Sequence, residues 1–296
     1  MKKLLFITFL SLSFSNSNAC DICGCSAGNY FIGPFPQFHK HFFGIRYSFR
    51  RYESEVAGAP DQFSHDLYQT AELWGGWKLG KKWQLLAFVP YNINRQRSDD
   101  GTVKSNGIGD ITLLMNYNLL NHQSNDHKTN QELWVGGGLK LPTGKFAAST
   151  DEIIPQANNQ PGTGSIDYLL NTMYAVHIGD WGINTTANYK INSTAHDFRF
   201  GNRFSSSVFV FRSFSKMKIA LSPNAGLLFE NLQPNKLANE KIASTGGNVL
   251  MGAGGLEVNL KKVAFGLNVQ APINQHLSDG QTTTKLRGMV HITLLI

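Results

Sequence analysis

From about residue 40 to residue 296, apolar and polar side chains alternate along segments of roughly ten to fourteen residues, with turn residues between them. Period two places successive side chains on opposite faces of a strand, so each segment predicts a strand with one greasy and one wet face. Four segments show this most clearly. The first sets Phe43, Ile45, Tyr47 and Phe49 against Arg46, Ser48 and Arg50. Another sets Trp181, Ile183, Thr185, Ala187, Tyr189 and Ile191 against Asn184, Asn188 and Lys190. A third carries Val263, Phe265, Leu267, Val269, Ala271 and Ile273 on one face, with Asn268 and Gln270 on the other. The last runs Leu286, Gly288, Val290, Ile292, Leu294 and Ile296, opposite Lys285, Arg287, His291 and Thr293.

Further strands are expected at about 65–79, 82–95, 107–120, 131–143, 165–178, 203–213, 217–230 and 246–258. Of these, 203–213 and 246–258 read in either register. The total is twelve, with ten and fourteen as the neighbouring counts. Connections alternate in length. Short turns fall at 80–82, 179–180, 213–216 and 259–262, and longer loops at 54–64, 96–106, 144–164, 193–202, 231–245 and 274–284. The polar segment 121–130 breaks the rule by being longer. Short turns on one side and long loops on the other are the rhythm of an outer-membrane barrel, and a soluble sandwich gives no reason for it. The expected fold is therefore all-β: a transmembrane, antiparallel, up-and-down β-barrel whose first segment (40–52) pairs with its last (285–296). No amphipathic helix long enough to compete is present.

The N-terminus changes the picture by adding an address. Lys2 and Lys3, a mostly apolar run from Leu4 to Leu12, and the small residues ending in Ala19 follow the grammar of a secretory signal. The expected organisation is a signal peptide at 1–19, a cysteine-bearing periplasmic segment at 20–39 and the barrel at 40–296. Hydrophobic residues make up only 42% of the chain, as suits strands in which every second residue meets lipid. The net charge of +7 is not gathered into a basic face with interleaved aromatics, so nucleic acid is not an expected partner.

Three stretches carry a family resemblance: Gly107-Ile108-Gly109-Asp110-Ile111, Leu139-Lys140-Leu141-Pro142-Thr143-Gly144-Lys145 and Pro161-Gly162-Thr163-Gly164-Ser165. With the strand rhythm around them, they resemble the outer-membrane barrel family of MetA-type, phenol-degradation-pathway transporters. Cys20-Asp21-Ile22-Cys23-Gly24-Cys25, followed by Phe35-Pro36-Gln37-Phe38-His39-Lys40, resembles a Bacteroidetes-type branch of such barrels. The resemblance implies passive movement of small, apolar or aromatic molecules across the outer membrane. Ile296 departs from the aromatic residue at which many such barrels end.

Two constellations carry candidate chemistry. By alternation Arg46, Arg50, Glu72, Asp110, Lys140, Asp167 and Lys190 face the lumen. They form either a ring that sets selectivity or a set of mutually satisfying ion pairs. The second constellation is Cys20, Cys23 and Cys25, to which His39 and His41 can add imidazoles. Thiolates are soft ligands for copper(I) or zinc. A disulfide and acylation of Cys20 are open alternatives. Loop 144–164 is read equally as an inward constriction and as a mobile extracellular loop. Trp74, Trp77, Trp83 and Trp181 lie near strand ends, where interfacial anchoring accounts for them, whereas alternation puts Trp134 on the wet side. No nucleophile elbow, zinc-protease helix or phosphate-cradling loop occurs, which argues against an enzyme.

The expected function is a non-enzymatic outer-membrane channel for small solutes, working by diffusion and requiring no cofactor. Its expected partners are outer-membrane lipid and the solute. The alternative is a metal-handling barrel that holds copper or zinc at the cysteines, or docks a periplasmic metal or redox protein through them.

Overall fold

The computed structural model describes residues 40–296 apart from 57–58, 100, 125–128, 147–156 and 217–218. The expected signal peptide at 1–19, the cysteine segment and His39 lie outside the described residues. Twelve staves form a closed barrel. They are β1 (Phe42–Val56), β2 (Ala59–Leu79), β3 (Trp83–Ser98), β4 (Gly101–Ile108 continuing as Ile111–Gln123), β5 (Thr129–Leu141) and β6 (Asp167–Ile178). The ring continues through β7 (Trp181–Ile191), β8 (Arg203–Arg212 with Phe214–Lys216), β9 (Ile219–Leu232), β10 (Gly247–Asn259), β11 (Val263–Leu277) and β12 (Thr282–Leu295). Each stave pairs antiparallel with its neighbours in sequence. Closure comes from β1 on β12, in register from Phe42↔Leu295 to Arg50↔Arg287. The ends are tied there, because the Ile296 N–H donates to the His41 carbonyl at 2.8 Å.

Alternation does what hydrocarbon requires. Ile45 (56% exposed), Leu267 (50%), Val290 (45%) and Ile292 (52%) point outward, while their neighbours Arg46 and Asn268 are buried in the interior. Trp77, Trp83 and Trp181 face outward at the short-turn end, which in bacterial barrels is the periplasmic one. Lys82 stands over Tyr117, and Arg212 over Trp181, in the same girdle. These aromatics sit where amphipathic rings meet headgroups. Trp74 corrects the anchoring expectation. It is buried inside the lumen, 4.7 Å edge-on to Phe42 and stacked on Phe88.

Several expected loops are strand. β1 and β2 run to Val56 and from Ala59, so 54–64 is mostly an extended hairpin. The same holds for 96–106, and β4 and β5 extend far into 121–130. Segments 193–202 and 231–245 instead build a small four-stranded sheet over the other end of the barrel. Its apolar underside gathers Phe198 and Phe200 around the fully buried Ala157.

A cation on the lipid face tests the assignment of outward positions. Val290→Arg is expected to destabilise the barrel by about 2–4 kcal/mol, the penalty typical near the bilayer midplane. The check is denaturant refolding into lipid vesicles.

Candidate functional site: a charged lumen above an apolar floor

The interior has two layers. Near the short-turn end Phe42, Trp74, Leu86, Phe88, Leu114, Trp134, Leu169 and Met173 pack into one buried cluster. A second cluster joins Phe209, Leu228, Val249 and Met251. Both lie on faces that alternation calls wet. The first lines the lower lumen along β1 to β6, while Gln84, Asn116, Glu257 and Asn268 are buried at other inward positions, and Val249 of the second stands opposite Glu230. Trp134 keeps its indole N–H satisfied by Glu132 at 3.2 Å. Trp74 also meets the His291 ring edge-on, at 5.8 Å between centroids, and Arg46 stands over its face.

Above this floor lies a polar cavity of about 80 Å³. All seven lumen residues named from the sequence are inward, and five of them (Arg46, Arg50, Glu72, Asp110 and Lys140) line that cavity. Arg46 pairs with Glu72 across β1 and β2, directly opposite in register. On the wall formed by β4 to β7, the Lys140 ammonium lies 2.6 Å from Asp110 and 2.9 Å from Asp167, and Lys190 lies 3.6 Å from Asp167. Burial of an unpaired charge costs several kcal/mol, which is why these charges meet.

The three family-bearing stretches converge on this wall. Gly109 and Asp110 interrupt β4, and the Thr143 hydroxyl spans the gap, accepting from the Ile111 N–H and donating to the Gly109 carbonyl, both at 2.9 Å. Asp110 then takes three donors besides Lys140: the Gly144 N–H at 3.0 Å, the Thr163 N–H at 3.0 Å and the Thr163 hydroxyl at 2.6 Å. Lys140 also donates to the Thr163 hydroxyl oxygen and, at 3.2 Å, to the Ser165 carbonyl. The Ser165 hydroxyl in turn donates to Asp167 at 2.8 Å. The described part of loop 144–164 is thereby held inward, and the mobile-loop alternative does not describe it. Asn92 and Asn94 secure it from β3 by donating to the carbonyls of Pro161 (2.8 Å) and Asn159 (2.9 Å). Glycine is required where the strands of this clamp cross: a Cβ on Gly162 would sit 2.4 Å from the Gly144 carbonyl.

Sequence reasoning missed the opposite wall. Glu230 bridges Arg203 at 3.1 Å and Arg287 at 3.0 Å, and Arg287 also donates to the Tyr52 hydroxyl at 3.1 Å. Glu257 faces His291 at 3.1 Å. Arg203 falls in a segment whose register was ambiguous, because Phe209 and Phe211 point inward while Val208 and Val210 point outward. A search for opposite charges at matched register would have found Arg203 and Glu230. Of the candidate metal set only His41 is described. Its Nδ1 accepts the Lys78 N–H at 3.2 Å. Among the described residues no group of three or more His, Cys, Asp or Glu side chains is placed to hold a metal.

A closed ring of antiparallel staves with a hydrocarbon-facing exterior defines an integral barrel of the bacterial outer membrane. Residues 61–280 match the family model described as "Putative MetA-pathway of phenol degradation", and the chain belongs to that family. Among solved structures, an outer-membrane channel from Pseudomonas putida F1 superposes with a TM-score of 0.63 at 13% identity, covering 87% of this chain and 96% of that one. The β-domain of a Bordetella autotransporter gives 0.50 at 8% identity, over 87% of this chain and 100% of that one. No curated protein matches in sequence.

Removing the central ammonium tests the clamp. Lys140→Met leaves Asp110 and Asp167 buried without their shared cation and is expected to cost about 3–5 kcal/mol. Adding Asp167→Asn should restore part of it. Thermal unfolding in detergent, followed by heat-modifiable gel mobility, reads both.

Proposed function

We propose that this protein is a passive channel for small solutes, selective for apolar or aromatic ones, and that it performs no chemistry on them. The observation that carries this reading is the vertical order of the lumen: paired charges around a narrow cavity, then a floor of aromatic and aliphatic side chains. A hydrophobic constriction repels ions by dewetting, whereas an uncharged ring gains contacts with Trp74 and Phe88 as it leaves water. The match to the phenol-degradation family supports the same solute class, and the likeness to the outer-membrane channel from Pseudomonas putida F1 supports the channel role.

Arg46, Arg50, Glu72, Asp110, Lys140, Asp167 and Lys190 are proposed as the residues that set the bore and polarity of the lumen. Their role is to fix a narrow polar throat through pairing, since a paired wall presents dipoles rather than a net field. The inward loop narrows the throat further by placing Pro161 and Thr163 at the cavity edge. The absence of an enzymatic step fits the same arrangement, in which the lumen carboxylates Asp110 and Glu230 are occupied by fixed cations.

Flux measurements decide the matter. In liposomes holding the purified protein, the rate gained over protein-free liposomes should be several-fold larger for an aromatic alcohol than for a neutral sugar of similar size. Equal gains for both would end the selectivity claim, and no gain for either would end the channel claim. In planar bilayers Trp74→Ala should raise ion conductance by opening the floor to water. Replacing Cys20, Cys23 and Cys25 by Ser should leave flux unchanged.

A further inference from the structure

The outer wall carries one more feature that the channel reading does not use. At the end remote from the short turns, the outward positions of β12, β1, β2, β3 and β4 hold Lys285, Arg51, His65, Arg95, Arg97 and Lys104. Register makes them a compact array. Lys104 lies opposite Arg95, Arg95 opposite Leu67, and Leu67 opposite Arg51, while Arg97 faces His65 and His65 faces Glu53. A shallow groove runs among Arg51, His65, Arg95, Arg97 and Lys285. Two carboxylates also line it: Glu53, taken by Lys285 at 2.8 Å, and Asp66, whose side chain is buried on the inward face. Glu55 and Asp99 lie further out, toward the hairpin tips.

Below the cations, on the same staves, outward apolar side chains appear: Phe49 under Arg51 and Ile93 (41% exposed) under Arg95, interleaved with Gln69 and Asn106, and Ile108 (56%) one step further down. Arg51 stands 5.7 Å over the Phe49 ring, so cation and apolar surface are continuous. The array therefore sits where acyl chains end and headgroups begin, in the leaflet opposite the short turns. Elsewhere on the wall the outward positions near this end include Leu139, Tyr168 and Phe204, with Asn231 on β9 and His276 on β11. The three arginines of the array stand on β1 and β3.

We propose that this patch binds a phosphorylated glycolipid of the outer leaflet, with guanidinium groups on the headgroup phosphates and the acyl chains against Phe49, Ile93 and Ile108. Arginine suits the task because its fork donates two parallel hydrogen bonds to a phosphate. The headgroup region is less screened than bulk water, so several cations on one phosphate act together. Such a lipid would buttress the β1–β4 hairpins, which project beyond the apolar belt.

Native mass spectrometry of the full chain in detergent, titrated with bis-phosphorylated lipid A, tests the proposal. The combined variant Arg51→Gln, Arg95→Gln, Arg97→Gln should weaken binding about a hundredfold, and the corresponding Lys variant should recover part of it. Heat-modifiable mobility verifies that each variant is folded. On the unaltered protein, lipid A stripped of phosphate should bind about as poorly as intact lipid A binds the Gln variant. Undiminished binding by the Gln variant, or equal binding of the stripped lipid, overturns the proposal. Displacement of the lipid by millimolar inorganic phosphate would assign the groove to a free anion and overturn it as well.

Discussion

Within hydrocarbon no water is present to satisfy a backbone N–H or C=O, and the pairing of β1 with β12 is the step that removes the last open edge. Everything else in the molecule follows from that closure. A ring of staves has an inside, and the inside must be filled or wetted. Side chains that cannot face lipid are forced into it by the same alternation that puts Ile45 and Ile292 outward. Once there, they share a narrow volume of low dielectric, and each charge must find a partner within reach. The ion pairs of the lumen are thus a consequence of the barrel rather than an addition to it.

Asp110 shows how far this logic goes. It sits at a break in β4, so its carboxylate projects from an interrupted stave into the lumen and collects donors from Lys140, Gly144 and Thr163. Each of those residues lies at least 30 positions from Asp110, and no local propensity brings them to it. The contact between Gly144 and Gly162 lets two backbone segments cross with no side chain between them. A loop that would otherwise expose its polar backbone to the lumen finds its partners on the wall instead, through Asn92, Asn94 and Lys140. Lys140 then has two duties, neutralising two carboxylates and seating the loop, which is why its loss is expected to disturb both stability and bore.

Much of this was legible in the sequence, and the parts that were not share one cause. Strand count, closure partners and the seven lumen charges follow from period two, because residues such as Arg46 and Lys190 alternate with unmistakably apolar neighbours. Trp74 was misplaced, and 203–213 and 246–258 were ambiguous, because apolar side chains also line parts of the lumen. Where Phe209 points in and Val210 points out, both faces of a strand are greasy and alternation carries no information. The same inversion hid Phe42, Leu86 and Leu114. The inward course of the loop was also beyond reach, since it depends on a hydrogen bond network assembled from five separate segments.

The two layers of the lumen make opposite demands on whatever passes through. The throat formed by Arg46, Glu72, Asp110 and Lys140 favours a group that can exchange hydrogen bonds with fixed dipoles, and a fully apolar molecule gains nothing there. The floor formed by Phe42, Trp74 and Phe88 favours a flat apolar body, and a fully hydrated ion loses its shell without compensation. On the proposed reading, one kind of solute meets both demands: a ring with a single uncharged polar substituent, oriented with that substituent toward the charges. Neither layer alone would distinguish such a molecule from a sugar or from a hydrocarbon. Selectivity in this barrel then resides in the order of the two layers along the axis, and His291 stands at their junction, with Glu257 on one side and the Trp74 ring on the other.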